Sequence, residues 1–473
     1  MPEPHGRPQE GAGGPQAVYL DRMDAAQAHT GRLIIQGRRR LNGEIVLSGA
    51  KNSALKLMAA SLLADTPSVI TRVPRIADVD TMTDMLRALG AQVQFSGDEL
   101  TIDPAGPLND TAPYELVRTM RASIIVMGPM VARLGCAVIA MPGGCNIGPR
   151  RIDFHIRGLE RLGARVDTDH GYIRVQSEGL VGATVPLDYP SVGATENLLM
   201  AATAAEGVTV IENAAREPEI GDLAAFLTGM GAQIEGAGTS TIRIHGGLPL
   251  HGTHHRVIAD RIEAGTYLAA GLATGGEVTV HGLEPHNLGI FLTKLRAMGA
   301  VVEEDDLTIT ARSAGRLLPV DVSTLPFPGF ATDLQAQVMV LLSLAEGTSI
   351  VTENVFENRF VVVDELNRLG AGITTNGHHA VVAGPRALTG TCVEAPDLRG
   401  GAALAIAGLA AEGVTEVGGL YHIERGYEDF TGKLRSLGAA VEQTTTEPGD
   451  GRRVCRASAG QTTAGTAVGA TME

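Results

Sequence analysis

A short phrase repeats six times along the chain at nearly even intervals. Each copy is an amphipathic stretch that ends in Leu or Met followed by Gly-Ala, and the glycines are Gly90, Gly163, Gly231, Gly299, Gly370 and Gly438. Successive glycines are 73, 68, 68, 71 and 68 residues apart. Glycine directly after the last apolar residue is a typical helix C-terminal signal, because it adopts a left-handed conformation at little cost. We therefore predict six units of helices and strands, each of about 70 residues.

A second phrase recurs at the same interval and indicates how the units pack. An Ala- and Leu-rich segment runs into a glycine turn and then a strand, as in residues 201–211. Some of these segments, such as 341–345 and 402–411, are apolar on nearly every side. Helices of that kind belong in an interior. The six units are therefore expected to divide into two similar lobes of three, with helices inside and sheets outside.

Composition narrows the class of protein. Hydrophobic residues make up 44% of the 473 residues, which is enough to bury a sizeable core. The net charge of −15 argues against nucleic acid or an anionic membrane bound through bulk charge, and leaves room for a local basic pocket. No apolar run reaches 18 residues, and the first 16 residues lack the apolar stretch of a signal peptide. A cytoplasmic protein is expected.

One segment, residues 142–153, combines glycine, proline, a thiol and cationic side chains. Its Gly-Gly pair precedes Cys145, and Arg150 and Arg151 follow a few residues later. Chain breakers at this density predict a mobile or tightly turned loop. Guanidinium groups favour the thiolate form, so the pattern predicts a reactive cysteine rather than an inert buried one.

Basic side chains recur beside the repeat junctions. They are Lys51 (followed by Asn52), Arg121, Arg150, Arg359, Arg399 and Arg425, and several stand in small-residue turns or at helix starts. A helix N-terminus together with a cation can bind phosphate or carboxylate. The alternative for any single arginine is a surface ion pair, and only convergence in space would make a site.

A carboxylate candidate, Asp333, stands just before an apolar helix. Two interpretations remain open, namely an N-terminal helix cap and a general base. The histidine pairs lack metal-ligand companions, and neither a P-loop nor a dinucleotide-binding glycine motif is present. We therefore expect no metal and no cofactor.

Ten stretches resemble, in order, the motifs of the enolpyruvyl transferases, and within them the UDP-N-acetylglucosamine 1-carboxyvinyltransferase family. The resemblance spans about residues 33–445 and rests on residues 48–52, 119–123, 142–145, 191–195, 212–219, 260–263, 332–335, 357–359, 397–399 and 422–427. It implies an α/β fold in the form of a two-lobed inside-out α/β barrel. The first lobe would be 51–258, carrying the Cys145 loop, and the second 33–50 plus 259–445. Residues 1–32 and 446–473, rich in small and polar residues, are predicted to be disordered extensions.

The resemblance also implies a reaction. The enolpyruvyl group of phosphoenolpyruvate would pass to the 3-hydroxyl of UDP-N-acetylglucosamine by addition and elimination, releasing phosphate, in peptidoglycan precursor synthesis. Cys145 would act as the general acid and would be the site of alkylation by fosfomycin, and Asp333 would take the hydroxyl proton. Lys51, Arg150 and Arg425, with Arg359 and Arg399 near, would hold the phosphate and the carboxylate.

The implied acceptor site uses other residues. Asn52 would contact the acetamido group, Arg121 the diphosphate and Val355 the sugar. Uridine would lie against Arg150, Arg151, Ile152, Asp153, Phe154, Ser191, Val192 and Gly193. Arg151 and Phe154 stand where the family usually has Pro and Leu. These departures leave open an alternative, a paralogue that transfers enolpyruvyl to uridine monophosphate in nucleoside-antibiotic synthesis. A shikimate-pathway relative and a catalytically inactive regulator agree less well with the cysteine loop and with the catalytic set.

Overall fold

The computed structural model describes residues 30–141 and 152–446. The predicted site residues Cys145, Arg150 and Arg151 lie outside the described residues, as do 1–29 and 447–473. The side chain of Arg121 also lies outside the described part, although its backbone opens a 3₁₀ turn, Arg121–Val126.

Helices and 3₁₀ turns alternate with strands along both described ranges. The α-helices are α1 Lys51–Ala60, α2 Ala77–Ala88, α3 Tyr114–Thr119, α4 Met127–Leu134, α5 Asp153–Arg161, α6 Val192–Ala202, α7 Pro218–Gly229, α8 Arg261–Ala273, α9 Gly289–Ala297, α10 Gln335–Leu344, α11 Val363–Arg368, α12 Leu398–Ala410, α13 Leu420–Glu424 and α14 Phe430–Ser436. Further 3₁₀ turns are Ser61–Leu63, Pro285–Leu288, Thr332–Leu334 and Arg359–Val362. None of the helices in the described ranges has the length and apolar character needed to cross a membrane.

The strands are short and numerous. They are β1 Thr30–Gln36, β2 Asn42–Val46, β3 Ser68–Thr71, β4 Gln92–Ser96, β5 Glu99–Asp103, β6 Cys136–Ala140, β7 Arg165–Asp169, β8 Tyr172–Gln176, β9 Thr184–Pro186, β10 Gly207–Glu212, β11 Gln233–Glu235, β12 Thr241–Gly246, β13 His254–Arg256, β14 Glu277–His281, β15 Val301–Asp305, β16 Thr308–Arg312, β17 Val322–Ser323, β18 Gly347–Thr352, β19 Ile373–Asn376, β20 His379–Gly384, β21 Cys392–Glu394, β22 Val414–Gly418 and β23 Ala440–Thr446.

These strands form six small sheets within the described chain. Their orders are β13-β3-β5-β4, β6-β8-β7, β11-β12-β10-β9, β15-β16-β14-β2, β17-β18-β20-β19 and β21-β22-β1-β23. Each four-stranded sheet combines antiparallel pairs with one parallel edge strand, as where β9 runs parallel to β10 and β12 antiparallel to it. The predicted six-unit repeat therefore appears as six similar sheets.

The six repeated glycines end helices as predicted. Each follows the last residues of an α-helix and has a positive φ, between +88° and +110°. At Gly90, for example, φ is +106° and the amide donates to the carbonyl of Arg87, which closes the end of α2. A side chain in this left-handed conformation would be strained, which explains why glycine recurs at each helix end.

Buried hydrophobic side chains form two clusters. One draws on residues 50–257, and the other on 33–47 together with 259–441. At the centre of the second, α8, α10 and α12 pack against one another and are buried on almost every side. Three sheets belong to each cluster and cover such helices. The two-lobed fold with inner helices is confirmed, whereas the proposed lobe limits stay a prediction.

Regular structure reaches slightly further than predicted at both ends. Strand β1 begins at Thr30, within the range 1–32 that was expected to be an extension, and β23 runs to Thr446. The two strands pair in antiparallel register from Thr30↔Thr446 to Gln36↔Ala440. Because every added pair contributes ladder hydrogen bonds, the two strands extend each other.

Two strand-terminal glycines allow a hairpin strand to approach the end of an inner helix. A Cβ at Gly246 would lie well inside contact distance of the carbonyl oxygens of Ala202 and Ala205. Gly384 has the same relation to the carbonyl oxygens of Leu342 and Ala345 in the other cluster. Glycine is needed there for the close approach of two backbones.

We predict that Gly246→Ala lowers the free energy of unfolding by about 1–3 kcal/mol, the cost typical of overpacking. The matched control is Gly221→Ala on α7, where a Cβ would meet no atom within 4 Å. Alanine at that helical position should stabilise the protein by about 0.5–1 kcal/mol. Denaturant unfolding of both variants measures these changes. Equal stability of the two variants would contradict the packing argument.

Candidate active site

A cleft of about 770 Å³ lies between the two hydrophobic clusters. Residues of both clusters' segments line it, including most of the predicted site residues that the structure describes. These are Lys51, Asn52, Ile152, Phe154, Ser191, Val192, Gly193, Asp333, Val355, Arg359, Arg399 and Arg425. Side chains separated by up to 374 positions in sequence therefore converge on one space.

Two cations that line the cleft share one carboxylate. Lys51 is the first residue of α1, and its Nζ lies 2.7 Å from Oδ2 of Asp78. Arg425, from the other cluster's segment, donates from Nε to Oδ1 of Asp78 at 2.8 Å. Asp78 lies in the first turn of α2 and is buried. Two positive groups against one negative group leave a local excess of positive charge for an anion.

Burial and charge compete in setting the pKa values of this group. Burial lowers the pKa of Lys51 below its usual range, and the carboxylate of Asp78 only partly opposes that shift. Burial raises the pKa of Asp78, but Lys51 and Arg425 outweigh it and leave that pKa below the ordinary value. Asp78 thus stabilises the charged form of Lys51.

A second cation–carboxylate group also lines the cleft. Asp333 belongs to the turn Thr332–Leu334, and its Oδ1 accepts a hydrogen bond from Nη2 of Arg359 at 2.8 Å. Its Oδ2 accepts from Nε and Nη2 of Arg399 at 3.2 and 3.1 Å. Both arginine side chains are only 4–5% exposed, so neither forms the surface ion pair that was the alternative from sequence. Asp333 is not the cap of α10, because the N-cap position is Leu334.

Arg399 is a buried cation that lies between Asp333 and Tyr427. Burial would lower the pKa of this guanidinium, but Tyr427 and Asp333 together raise it, so the group stays charged. Its guanidinium carbon lies 5.2 Å from the ring centre of Tyr427.

The predicted nucleotide side of the cleft is built around α5 and α6. Ser191 caps α6, its hydroxyl accepting from the amide of Ala194, and Val192 and Gly193 follow at the helix start. Phe154 on α5 is almost fully buried and lines the cleft. Asp153 is not among the lining residues that the structure describes, and its Oδ2 instead lies 2.9 Å from Nη2 of Arg157 on the same helix.

Several charged residues of the cleft were not predicted from the sequence. Lys56 Nζ donates to the carbonyl of Asn52 at 2.7 Å and lies 3.5 Å from Oε1 of Glu196. Burial, only partly opposed by Lys56, raises the pKa of Glu196 to about 7. Asp78 was missed because an acidic residue in a first helical turn is ordinary helix chemistry and signals no site.

Segments of the two hydrophobic clusters also contact each other directly. Oε1 of Glu217, which precedes α7, accepts a hydrogen bond from the amide of Phe327 at 3.2 Å. Arg261, the first residue of α8, pairs with Glu219 at 3.1 Å, and its guanidinium lies 5.6 Å from the ring centre of Phe327. These contacts join segments of the two clusters beside the cleft.

Comparison with known sequences places this geometry in a family. The chain matches a family model described as EPSP synthase (3-phosphoshikimate 1-carboxyvinyltransferase) over residues 35–434. It is 53% identical over 416 residues to UDP-N-acetylglucosamine 1-carboxyvinyltransferase 2 of Carboxydothermus hydrogenoformans, covering 88% of this chain and 99% of the relative. It is 50% identical to UDP-N-acetylglucosamine 1-carboxyvinyltransferase 3 of Caldanaerobacter subterraneus subsp. tengcongensis, covering 87% and 98%.

Solved structures of enolpyruvyl transferases also match this chain. The enolpyruvyl transferase NikO from Streptomyces tendae matches with a TM-score of 0.81 and 28% identity, over 88% of this chain and all of that one. EPSP synthase from Acinetobacter baumannii matches with a TM-score of 0.68 and 19% identity, over 88% of this chain and all of that one, which indicates a shared fold. This chain therefore belongs to the enolpyruvyl transferase family, which contains EPSP synthase and the UDP-N-acetylglucosamine 1-carboxyvinyltransferases.

Proposed function

We propose that this protein is a carboxyvinyl transferase that moves the enolpyruvyl group of phosphoenolpyruvate to the 3-hydroxyl of UDP-N-acetylglucosamine and releases phosphate. The observation that carries the choice of acceptor is the 50–53% identity to relatives named for that substrate, over nearly their whole length. The product is a precursor of peptidoglycan. Both substrates are metabolites of the cytoplasm, so the proposal assigns the reaction to that compartment.

The cations of the cleft suit phosphoenolpyruvate, which carries a phosphate and a carboxylate. Lys51 and Arg425 line the cleft together with Asp78, and Arg359 and Arg399 line it together with Asp333. An arriving anion would replace part of the contact that Asp78 makes with Lys51. Cations held in place before the substrate binds stabilise charge that develops in the transition state without a reorganisation cost.

The addition needs two proton transfers and one new C–O bond, and the elimination needs a third proton transfer and the cleavage of the C–O bond to phosphate. In the proposed mechanism the carboxylate of Asp333 takes the proton of the acceptor hydroxyl while its oxygen bonds to C2 of phosphoenolpyruvate. The thiol of Cys145 gives a proton to C3, which completes a tetrahedral ketal. Loss of a proton from C3 and of phosphate from C2 then restores the double bond and yields the enol ether. Arg359 and Arg399 orient Asp333 as its hydrogen-bond donors.

On the acceptor side, the proposal assigns the acetamido group to Asn52, the diphosphate to Arg121 and the sugar to Val355. Uridine would bind between α5 and α6, against Ile152, Asp153, Phe154 and Ser191–Gly193, with Arg150 and Arg151 beside them. We further propose that residues 51–258 form one lobe and 33–50 with 259–445 the other. The site would then lie between lobes, where closure excludes water from the intermediate.

The direct test is phosphate release from phosphoenolpyruvate, with UDP-N-acetylglucosamine and with uridine monophosphate measured in parallel. We expect the wild-type protein to release phosphate with the sugar nucleotide and Cys145→Ser to release none. Intact-mass measurement should show a fosfomycin adduct on the wild-type protein and none on Cys145→Ser. Release with uridine monophosphate alone would overturn the proposed acceptor in favour of a nucleoside-antibiotic paralogue.

We predict that Asp333→Asn lowers kcat by about 10²–10⁴-fold, because an amide of the same shape cannot take the hydroxyl proton. The variant should also unfold at a lower temperature, since Arg359 and Arg399 lose the negative charge that balances them. Steady-state kinetics and thermal unfolding measure the two effects. The matched control is Asp306→Asn at an exposed hairpin tip, and equal kcat in the two variants would contradict the proposed base.

We predict that Asp78→Asn moves the alkaline limb of kcat/KM for phosphoenolpyruvate to lower pH. Burial lowers the pKa of Lys51 and Asp78 raises it, so without the carboxylate the ammonium loses its proton at a lower pH. Initial rates between pH 6 and about pH 10 measure the shift. The control is Asp84→Asn on the same helix, whose carboxylate pairs with Arg87 and is not part of the described cleft lining. An unchanged profile in Asp78→Asn would show that Asp78 does not set the charge of Lys51.

A further inference from the structure

A buried carboxylate beside the cleft, Glu353, takes no part in the mechanism described above. It directly follows β18, is only 3% exposed and does not itself line the cleft formed by the described residues. Four donors converge on its two oxygens, which is as many as a carboxylate readily accepts. Three of the donors come from segments that line the acceptor side of the cleft, and the fourth comes from the turn that carries Asp333.

The first oxygen, Oε1, holds the loop that follows Glu353. It accepts from the amides of Val355 and Phe356 at 2.8 and 3.1 Å, and both of these residues line the cleft. It also accepts from Oγ1 of Thr324 at 2.8 Å. Thr324 in turn accepts from the amide of Asn354 at 2.9 Å, so the two segments are tied together at several points.

The second oxygen, Oε2, reaches the turn that carries the proposed base. It accepts from Oγ1 of Thr332 at 2.9 Å, and Thr332 is the residue directly before Asp333. The side chain of Asp333 is held by Arg359 and Arg399, whereas the Thr332 bond holds the backbone of the turn. Glu353 thereby connects the position of the base with the position of the loop at Val355.

We propose that Glu353 is a positioning residue that sets the Asp333 turn at a defined distance from the acceptor loop, through Oε2 to Thr332 and through Oε1 to Thr324, Val355 and Phe356. The inference rests on the proposed function, in which Asp333 and Val355 act on one acceptor. An amide at this position has one oxygen instead of two, and an apolar side chain would leave buried donors unsatisfied. Misplacement of a reacting group by about 1 Å can cost about 10²-fold in rate.

Two isosteric variants separate the two oxygens. Thr332→Val removes only the donor to Oε2, and we expect kcat to fall about tenfold with the KM for phosphoenolpyruvate unchanged within about twofold. Thr324→Val loosens the acceptor loop, and we expect the KM for the acceptor to rise about fivefold with a smaller change in kcat. The control is Thr352→Val, whose hydroxyl contacts His379 on an exposed face, and it should match wild type.

Glu353→Gln serves as the conservative substitution, because its remaining oxygen can keep the Oε1 contacts while the hydroxyl of Thr332 turns to accept from the amide. We expect it to retain more activity than Thr332→Val. The double variant Glu353→Gln/Thr332→Val should then have the same kcat as Thr332→Val alone, since both substitutions act on the same contact. Equal kcat and KM in Thr332→Val, Thr324→Val and Thr352→Val would overturn the proposal, as would a uniform loss of activity that follows stability alone.

Amide hydrogen exchange distinguishes failure of this inference from failure of the proposed function. Exchange at 354–356 should be faster in Thr324→Val and unchanged in Thr332→Val, whereas exchange at 333–335 should be faster in Thr332→Val. This pattern is measurable without any acceptor. If the wild-type protein releases no phosphate but the pattern is found, the proposed function is wrong and the positioning role of Glu353 stands. Exchange as slow as in wild type in both Thr324→Val and Thr332→Val would overturn the positioning role itself.

Discussion

One carboxylate joins the inner helices of the two clusters at the point where the chain passes between them. Oδ1 of Asp260 caps α8 by accepting from the amides of Ile262 and Glu263 at 2.8 and 3.0 Å. Its Oδ2 accepts from the amide of Lys51, the first residue of α1, at 3.2 Å. The positive ends of two helix dipoles therefore meet on one buried negative charge. Because Lys51 begins α1, this contact also sets where its ammonium enters the cleft.

The electrostatics of the cleft differ from those of the chain as a whole. The protein carries a net charge of −15, yet Asp78 and Asp333 each contact two cations among the described residues of the cleft. Burial makes such pairs costly unless hydrogen bonds satisfy them, and here most of the groups have defined partners. In each of these two groups the cations outnumber the carboxylate, so a local excess of positive charge exists inside an acidic protein.

Carboxylates also hold the polypeptide around the site, and two of them, Asp260 and Glu353, are buried. Asp260 ties α1 to α8, Asp333 binds two arginines from different segments, and Glu353 gathers donors from three loops. Each accepts hydrogen bonds from groups far apart in sequence, and each leaves few donors unsatisfied. The fold thus places the residues that line the cleft on short turns and helix starts, and hydrogen bonds to these three carboxylates connect those segments.

The sequence by itself determined the repeat, the helix ends and the interior helices, because glycine conformation and apolar periodicity are local properties. It also identified the family through ten ordered motifs, and most of the site residues that it named and the structure describes line the cleft. The local sequence pattern left two interpretations of Asp333 open, a helix cap and a general base. The structure excludes the cap of α10, because Leu334 is at the N-cap position, and shows two arginines bound to the Asp333 carboxylate. Asp78 and Glu353 carry no signal in sequence, since each is an ordinary acid in a helix turn or after a strand. Only the fold brings their partners, up to 347 positions away, within hydrogen-bond distance, and long-range proximity of that kind is a property of packing.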